Sequence, residues 1–179
     1  MITRQTIEEA HVRIEKYINR TPVLHVSAID ELAGCEVWFK CENLQKVGAF
    51  KARGAMNAVL SLTEQQRQRG VGTHSSGNHA QALARAAKIL GIPAYIVMPR
   101  NAPKIKKSGV LSYGGRVFEC EPSLAARETT LAKVLEETGA TEIHPFNNES
   151  VIAGQATAAR ELMQERPDLD VLLAPVGGG

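Results

Sequence analysis

An α/β architecture built on largely parallel sheets is what this sequence predicts, and three observations carry the prediction. Short apolar runs alternate with helix-period segments from Gly70 onward. Two of those runs, Pro93-Ala94-Tyr95-Ile96-Val97-Met98-Pro99 and Val171-Leu172-Leu173-Ala174-Pro175-Val176, are apolar without alternation, which suits strands covered on both faces. The composition is globular, with 44% hydrophobic and 22% charged residues, which excludes a disordered or low-complexity chain.

Taken in order, Thr6-Ile7-Glu8-Glu9 opens a helix that runs on through Val12, Ile14 and Ile18, with Thr6 as cap and Glu9 closing a capping box. Glu36-Val37-Trp38-Phe39-Lys40 reads as a short strand, and 51–62 as a helix with an apolar face of small residues. Val71-Gly72-Thr73-His74 is a weak strand; the Ala-rich helix 79–90 follows and stops at Gly91. The 93–99 run is a strand bounded by prolines, 103–112 a helix, and 116–120 a strand after Gly114-Gly115. Helices over 123–138 and 151–165 follow, then the apolar strand over 171–176 that enters Gly177-Gly178-Gly179. A buried parallel strand running into glycines ordinarily launches another helix, and its open edge needs cover. The expectation is therefore the N-terminal part of a longer enzyme.

Several classes are excluded. The net charge of +2 comes from interspersed acids and bases, and only 4% of residues are aromatic, so no nucleic-acid surface is expected. No apolar run reaches the ~20 residues of a membrane span, and Met1-Ile2-Thr3-Arg4-Gln5 has no apolar signal stretch. Cys35, Cys41 and Cys120 lack C-x-x-C spacing, which points to a reducing, cytoplasmic setting and to no metal site.

Three segments carry chemistry. Within Glu42–Ala55, Lys51 alone among the nearby bases has apolar neighbours on both sides, and desolvation favours the neutral amine that a nucleophile needs. A lysine at a helix start is, taken alone, more often a surface residue. Thr73-His74-Ser75-Ser76-Gly77-Asn78-His79 joins a strand to a helix, where unpaired backbone N–H groups make an anion site. Simple capping accounts for the same residues equally well. Pro175-Val176-Gly177-Gly178-Gly179 lets backbone amides approach an anion closely, with a flexible tail as the alternative, and is neither a G-x-G-x-x-G nor a Walker A pattern. An activatable amine and two anion cradles on a parallel scaffold are what pyridoxal phosphate and an amino acid require.

The segments Gly48-Ala49-Phe50-Lys51-Ala52-Arg53-Gly54-Ala55, Ser75-Ser76-Gly77-Asn78-His79-Ala80-Gln81, Val151-Ile152-Ala153-Gly154-Gln155 and Pro175-Val176-Gly177-Gly178-Gly179 resemble the serine/threonine dehydratase and serine racemase family, in that order along the chain. These are pyridoxal-phosphate enzymes of fold type II, with a tryptophan-synthase-β-like fold. The resemblance implies two open parallel-sheet α/β domains: a large cofactor-binding one from 1–69 and 146–179, with its C-terminal part missing, and a small one over 70–145. By resemblance Lys51 forms the internal aldimine with pyridoxal 5'-phosphate and acts as acid and base on one face. Phe50 packs beside the ring, and Asn78 hydrogen-bonds the ring hydroxyl. Ser75, Ser76, Gly77, Asn78 and His79 form the substrate loop, and Ser76 stands where racemizing members have a second base. Gly177, Gly178 and Gly179 form most of a phosphate loop. The implied reaction is β-elimination of L-threonine or L-serine to a 2-oxo acid and ammonia. The alternatives are serine racemase or threo-3-hydroxyaspartate dehydratase activity, or a non-catalytic fragment. The resemblance also implies a small amino-acid substrate, a homo-oligomer (dimer or tetramer), and a divalent-cation site in the remaining C-terminal portion. Ala49 departs from the family, many members of which have Ser there.

Overall fold

The computed structural model describes residues 1–175; the Val176, Gly177, Gly178 and Gly179 of the expected phosphate loop lie outside the described residues. The first helix, α1 (Arg4–Ile14), begins earlier than its sequence suggests. Thr3 is the cap, and Thr6 is the N3 partner that closes the box through its hydroxyl. A hydroxyl at N3 thus does the work expected of Glu9. Strands β1 (Val23–His25) and β2 (Trp38–Lys40) form a small antiparallel ribbon around α2 (Ser27–Ala33). Two single-turn 3₁₀ segments, Glu42–Leu44 and Lys46–Gly48, lead into α3 (Lys51–Leu60) and α4 (Glu64–Arg69).

The remaining elements alternate: β3 (Val71–His74), α5 (Asn78–Leu90), β4 (Ala94–Pro99), α6 (Lys104–Ser112), β5 (Arg116–Cys120), α7 (Leu124–Thr138), β6 (Thr141–Glu142) and α8 (Glu149–Glu165). The four strands form one parallel sheet in the order β5-β4-β3-β6. Both faces of it are covered, because alternate residues of β4 point into different clusters. Ile96 and Met98 join Leu83 and Ala87 of α5 and Met56 and Val59 of α3, whereas Tyr95 and Val97 join Leu131 and Val134 of α7. Helix α5 is therefore the shared element, with the sheet on one side and α3 on the other.

Helices α3 and α8 cross at two glycines. A Cβ built on Gly154 would meet the Gly54 Cα at 2.7 Å and the Arg53 carbonyl oxygen at 2.8 Å. The crossing is thus a backbone-to-backbone approach that no larger residue fits. Residues 171–175 form no strand. A parallel strand exists only against a hydrogen-bonded neighbour, and among the described residues none pairs with this run. Leu173 there is 88% exposed. The described residues hold one parallel sheet, and no second one.

Candidate active site

The order β5-β4-β3-β6 contains a reversal. From β3 the chain steps outward through β4 to β5, then returns to place β6 on the opposite side of β3. Loops leaving the carboxyl ends of β3 and β6 therefore diverge, and the crevice between them is where open α/β sheets take ligands. The loop after β3 is Ser75-Ser76-Gly77; the segment after β6 is Ile143-His144-Pro145-Phe146-Asn147.

Lys51 meets this crevice from the start of α3. Its Nζ donates to the Pro145 carbonyl oxygen at 2.7 Å and lies 5.1 Å from the centre of the Phe50 ring. Burial pushes the Lys51 amine below the usual lysine range. Phe50 itself reaches an apolar groove bounded by Ile152, Ala156 and Leu162 of α8.

The substrate-loop residues are spread over two environments. Ser75, Ser76 and Gly77 are half-buried and Asn78 is exposed. The Ser75 amide continues the ladder to the Val97 carbonyl at 3.0 Å, and its Oγ accepts from the Gly77 amide at 3.3 Å. No side chain caps α5 at Gly77, and a Cβ built there would meet nothing within 4 Å. The first amides of this 13-residue helix therefore have no side-chain cap among the described residues. Asn78 Oδ1 accepts from Lys106 Nζ at 2.6 Å, which leaves the amide NH2 free to donate elsewhere. Ser76 lines a separate polar pocket with Pro99, Asn101 and Arg127. His79 turns inward: it is 2% exposed, and its Nε2 lies 2.9 Å from the Ile143 carbonyl oxygen.

What holds the lysine-bearing turn is nearly invisible to local sequence reading. Arg53, fully buried, donates from Nε and Nη2 to the two Glu42 oxygens at 2.8 Å each, and from Nη1 and Nη2 to Glu161 at 2.7 and 2.9 Å. Lys40 adds a 2.7 Å contact to Glu161. Burial alone would raise the Glu161 carboxyl, but the hydrogen bonds from Arg53 and Lys40 outweigh it and hold it below the usual range. Two cations and two anions neutralise one another, as a buried cluster requires. The Glu42–Arg53 pair closes the loop in which Val47 takes a left-handed backbone at φ 57°, a conformation costing on the order of 1–3 kcal/mol. One signal is present. Glu161 falls at helical spacing from Gly154 and Thr157, on the buried face of α8, and an acid on that face needs a partner. Pro145, Lys106 and Arg127 carry no comparable signal.

Among the described residues, no three His, Cys, Asp or Glu side chains form a metal cluster, and no helix is long and apolar enough to cross a membrane. The chemistry of the donor set fits a pyridoxal cofactor. The segments that follow β3 and β6 carry an amide donor and an uncapped helix start on one side and the carbonyl that holds the desolvated Lys51 amine on the other, and Thr73 Oγ1 and His74 Nδ1 of β3 are buried without a partner among the described residues.

The chain is 52% identical to a serine racemase of Dictyostelium discoideum over 178 residues, covering 99% of this chain and 55% of that one. It is 51% identical to a beta-hydroxyaspartate dehydratase of Paracoccus denitrificans over 177 residues, covering 99% and 56%. The structure superposes on the threonine deaminase of T.th. with a TM-score of 0.89 at 42% identity, covering 99% of this chain and 57% of that one. The chain thus spans about half the length of the curated relatives it matches. A model of the pyridoxal-phosphate dependent enzymes matches residues 14–179. With an amine at the switch point of a parallel sheet and relatives of this closeness, the chain belongs to the pyridoxal-phosphate dependent enzyme family and shares the fold of its fold type II members.

Proposed function

We propose that the protein containing this chain is a pyridoxal-phosphate enzyme that removes the α-proton of a small β-hydroxy amino acid. The leading outcome is β-elimination of L-serine or L-threonine to a 2-oxo acid and ammonia. Racemization of serine and dehydration of 3-hydroxyaspartate are the variants, supported by what the relatives are named to do. The observation that carries the reading is the Lys51 amine, desolvated and held by a single carbonyl at the sheet's switch point.

When bound, the cofactor supplies the electron sink that acidifies the α-proton. Lys51 holds the cofactor and then moves the proton at Cα from its own face, a task suited to an amine whose pKa burial has lowered. Ser76 serves the other face. The uncapped amides that begin α5 bind the substrate carboxylate. Asn78, its oxygen occupied by Lys106, donates its NH2 to the ring oxygen. Of His79 only the backbone serves the substrate, since its ring is buried. Gly177, Gly178 and Gly179 cradle the phosphate, and Phe50 packs beside the ring. Residues 70–145 form the smaller lobe of the whole enzyme, which works as a homo-oligomer.

Lys51→Ala tests the reading. The expected result is loss of the imine absorbance band of the lysine-linked cofactor and loss of the borohydride-fixed mass on this segment, with circular dichroism unchanged. A Lys51→Ala protein that still carries fixed cofactor overturns it.

A further inference from the structure

Side chains from the first turns of two helices reach the same short piece of backbone. From α5, His79 Nε2 reaches the Ile143 carbonyl at 2.9 Å; from α3, Lys51 Nζ reaches the Pro145 carbonyl at 2.7 Å. Between them the piece is tied down on its other sides. The Ile143 amide donates to the Gly72 carbonyl of β3 at 2.8 Å. His144 Nδ1 accepts from the amides of Phe146 and Asn147 at 3.3 and 2.9 Å. Residues 143–147 therefore form a strut rather than a free loop.

We propose that His79 is a positioning residue, whose Nε2–H fixes this strut so that the Pro145 carbonyl aims the Lys51 amine at the crevice. A carbonyl oxygen only accepts, so the hydrogen must sit on Nε2, and Nδ1 carries the lone pair. Nδ1 is buried and has no partner among the described residues, so the other tautomer would gain nothing and lose the Ile143 bond. The charged form is no competitor near neutral pH. Burial, opposed by the Ile143 hydrogen bond and aided by nearby Lys51, His144 and His74, pushes the His79 pKa down to about 4. His79 directly follows Asn78 and lies in the first turn of the helix whose amides form the carboxylate cradle. One side chain thus ties the cradle and the cofactor amine to a common backbone. The motif places His79 in the substrate loop; the geometry gives its ring a different task.

The assignment rests on the reading of Lys51 as the cofactor lysine, and the test separates the two. Glutamine places an amide NH2 near the position of histidine Nε2; asparagine reaches only to that of Nδ1. In the holoenzyme, His79→Asn is expected to weaken pyridoxal phosphate affinity and to raise KM for L-serine, each about tenfold, as losing one buried hydrogen bond implies. His79→Gln is expected to stay within about threefold of the parent in both. Equal impairment of both variants, or a His79→Asn protein with parental affinity and KM, overturns the proposal. In the unsubstituted protein, nitrogen-15 shifts of the His79 ring report the tautomer directly; a hydrogen on Nδ1 also overturns it, whether or not the variants fold. If Lys51→Ala keeps fixed cofactor, the functional reading fails instead.

Discussion

Burial acts on Lys51 and His79 in one direction, favouring the uncharged form of each base, and the consequences differ because only Lys51 opens onto the crevice. For His79 the consequence is a pH-dependent stability. Its pKa is about 4 in the folded chain and about 6.5 when unfolded. Between those values the unfolded chain binds more protons, so stability rises with pH across that window. The contribution is fully present above about pH 6.5 and lost as pH falls toward 4, amounting to about 3 kcal/mol. His74, lowered by burial and by His144, adds to the same slope. Urea midpoints measured from pH 7 to 4.5 are expected to fall more steeply for the parent than for His79→Gln. Identical slopes would show that the His79 ring stays solvated. Ser76 invites a different measurement. It stands beside Gly77 at the uncapped start of α5, and in the proposed reaction Lys51 serves one face of the substrate by itself. Ser76→Ala is expected to cost racemization of L-serine about 100-fold or more, the scale of a lost acid–base group, and elimination far less. Equal small losses in both reactions would leave Ser76 a capping residue.

At the level of elements, what the sequence revealed was what local chemistry decides. Helix α7 starts at its Ser123 cap and stops at left-handed Gly139, and α5 stops at left-handed Gly91. The strand at 116–120 falls where its apolar run placed it. What stayed hidden has few residues or no local signal. Helix α2 has no side-chain cap and no buried residue, and β6 is two residues held only by their register with Val71 and Gly72. The motifs named Lys51 and the Ser75–His79 loop, but the Glu42–Arg53–Glu161–Lys40 cluster spans over a hundred residues of chain and belongs to tertiary structure alone. The α3–α8 crossing lets that cluster form, because Gly54 and Gly154 bring the two backbones together one residue away from Arg53. Gly154→Ala must push the helices apart. It is expected to destabilise the protein by about 1–3 kcal/mol, the usual range for overpacking, and to weaken cofactor binding as Arg53 loses register with Glu161. Chemical denaturation with a parallel cofactor titration decides it. A variant as stable as the parent would mean that the crossing has slack.

Across the whole molecule, the apolar surface is unevenly covered. The sheet is buried on both faces, yet a groove of about 580 Å³ lies open between α8 and residues 172–175, lined by Phe50, Ile152, Ala156, Leu162, Leu172 and Leu173. Val171 and Leu173 beside it are 70% and 88% exposed. Covering one large apolar side chain contributes roughly 1.5–3 kcal/mol, so covering several rivals the net stability of a domain, about 5–15 kcal/mol. The groove reaches Phe50, next in sequence to Lys51, so whatever covers it packs against the lysine-bearing turn. The relatives, of whose length the matched segment is 55–56%, carry further sequence that this face is suited to meet. Residues 1–179 produced alone are therefore expected to self-associate, to bind a dye specific for apolar surface, and to hold pyridoxal phosphate weakly. A chimera continuing into the C-terminal sequence of the Dictyostelium discoideum relative is expected to lose the dye signal and to hold the cofactor tightly. Light scattering, dye fluorescence and cofactor titration on the two polypeptides make the comparison. If residues 1–179 alone form a monodisperse monomer that binds no dye and retains cofactor as tightly as the chimera, the groove needs no cover and the crevice is complete without it.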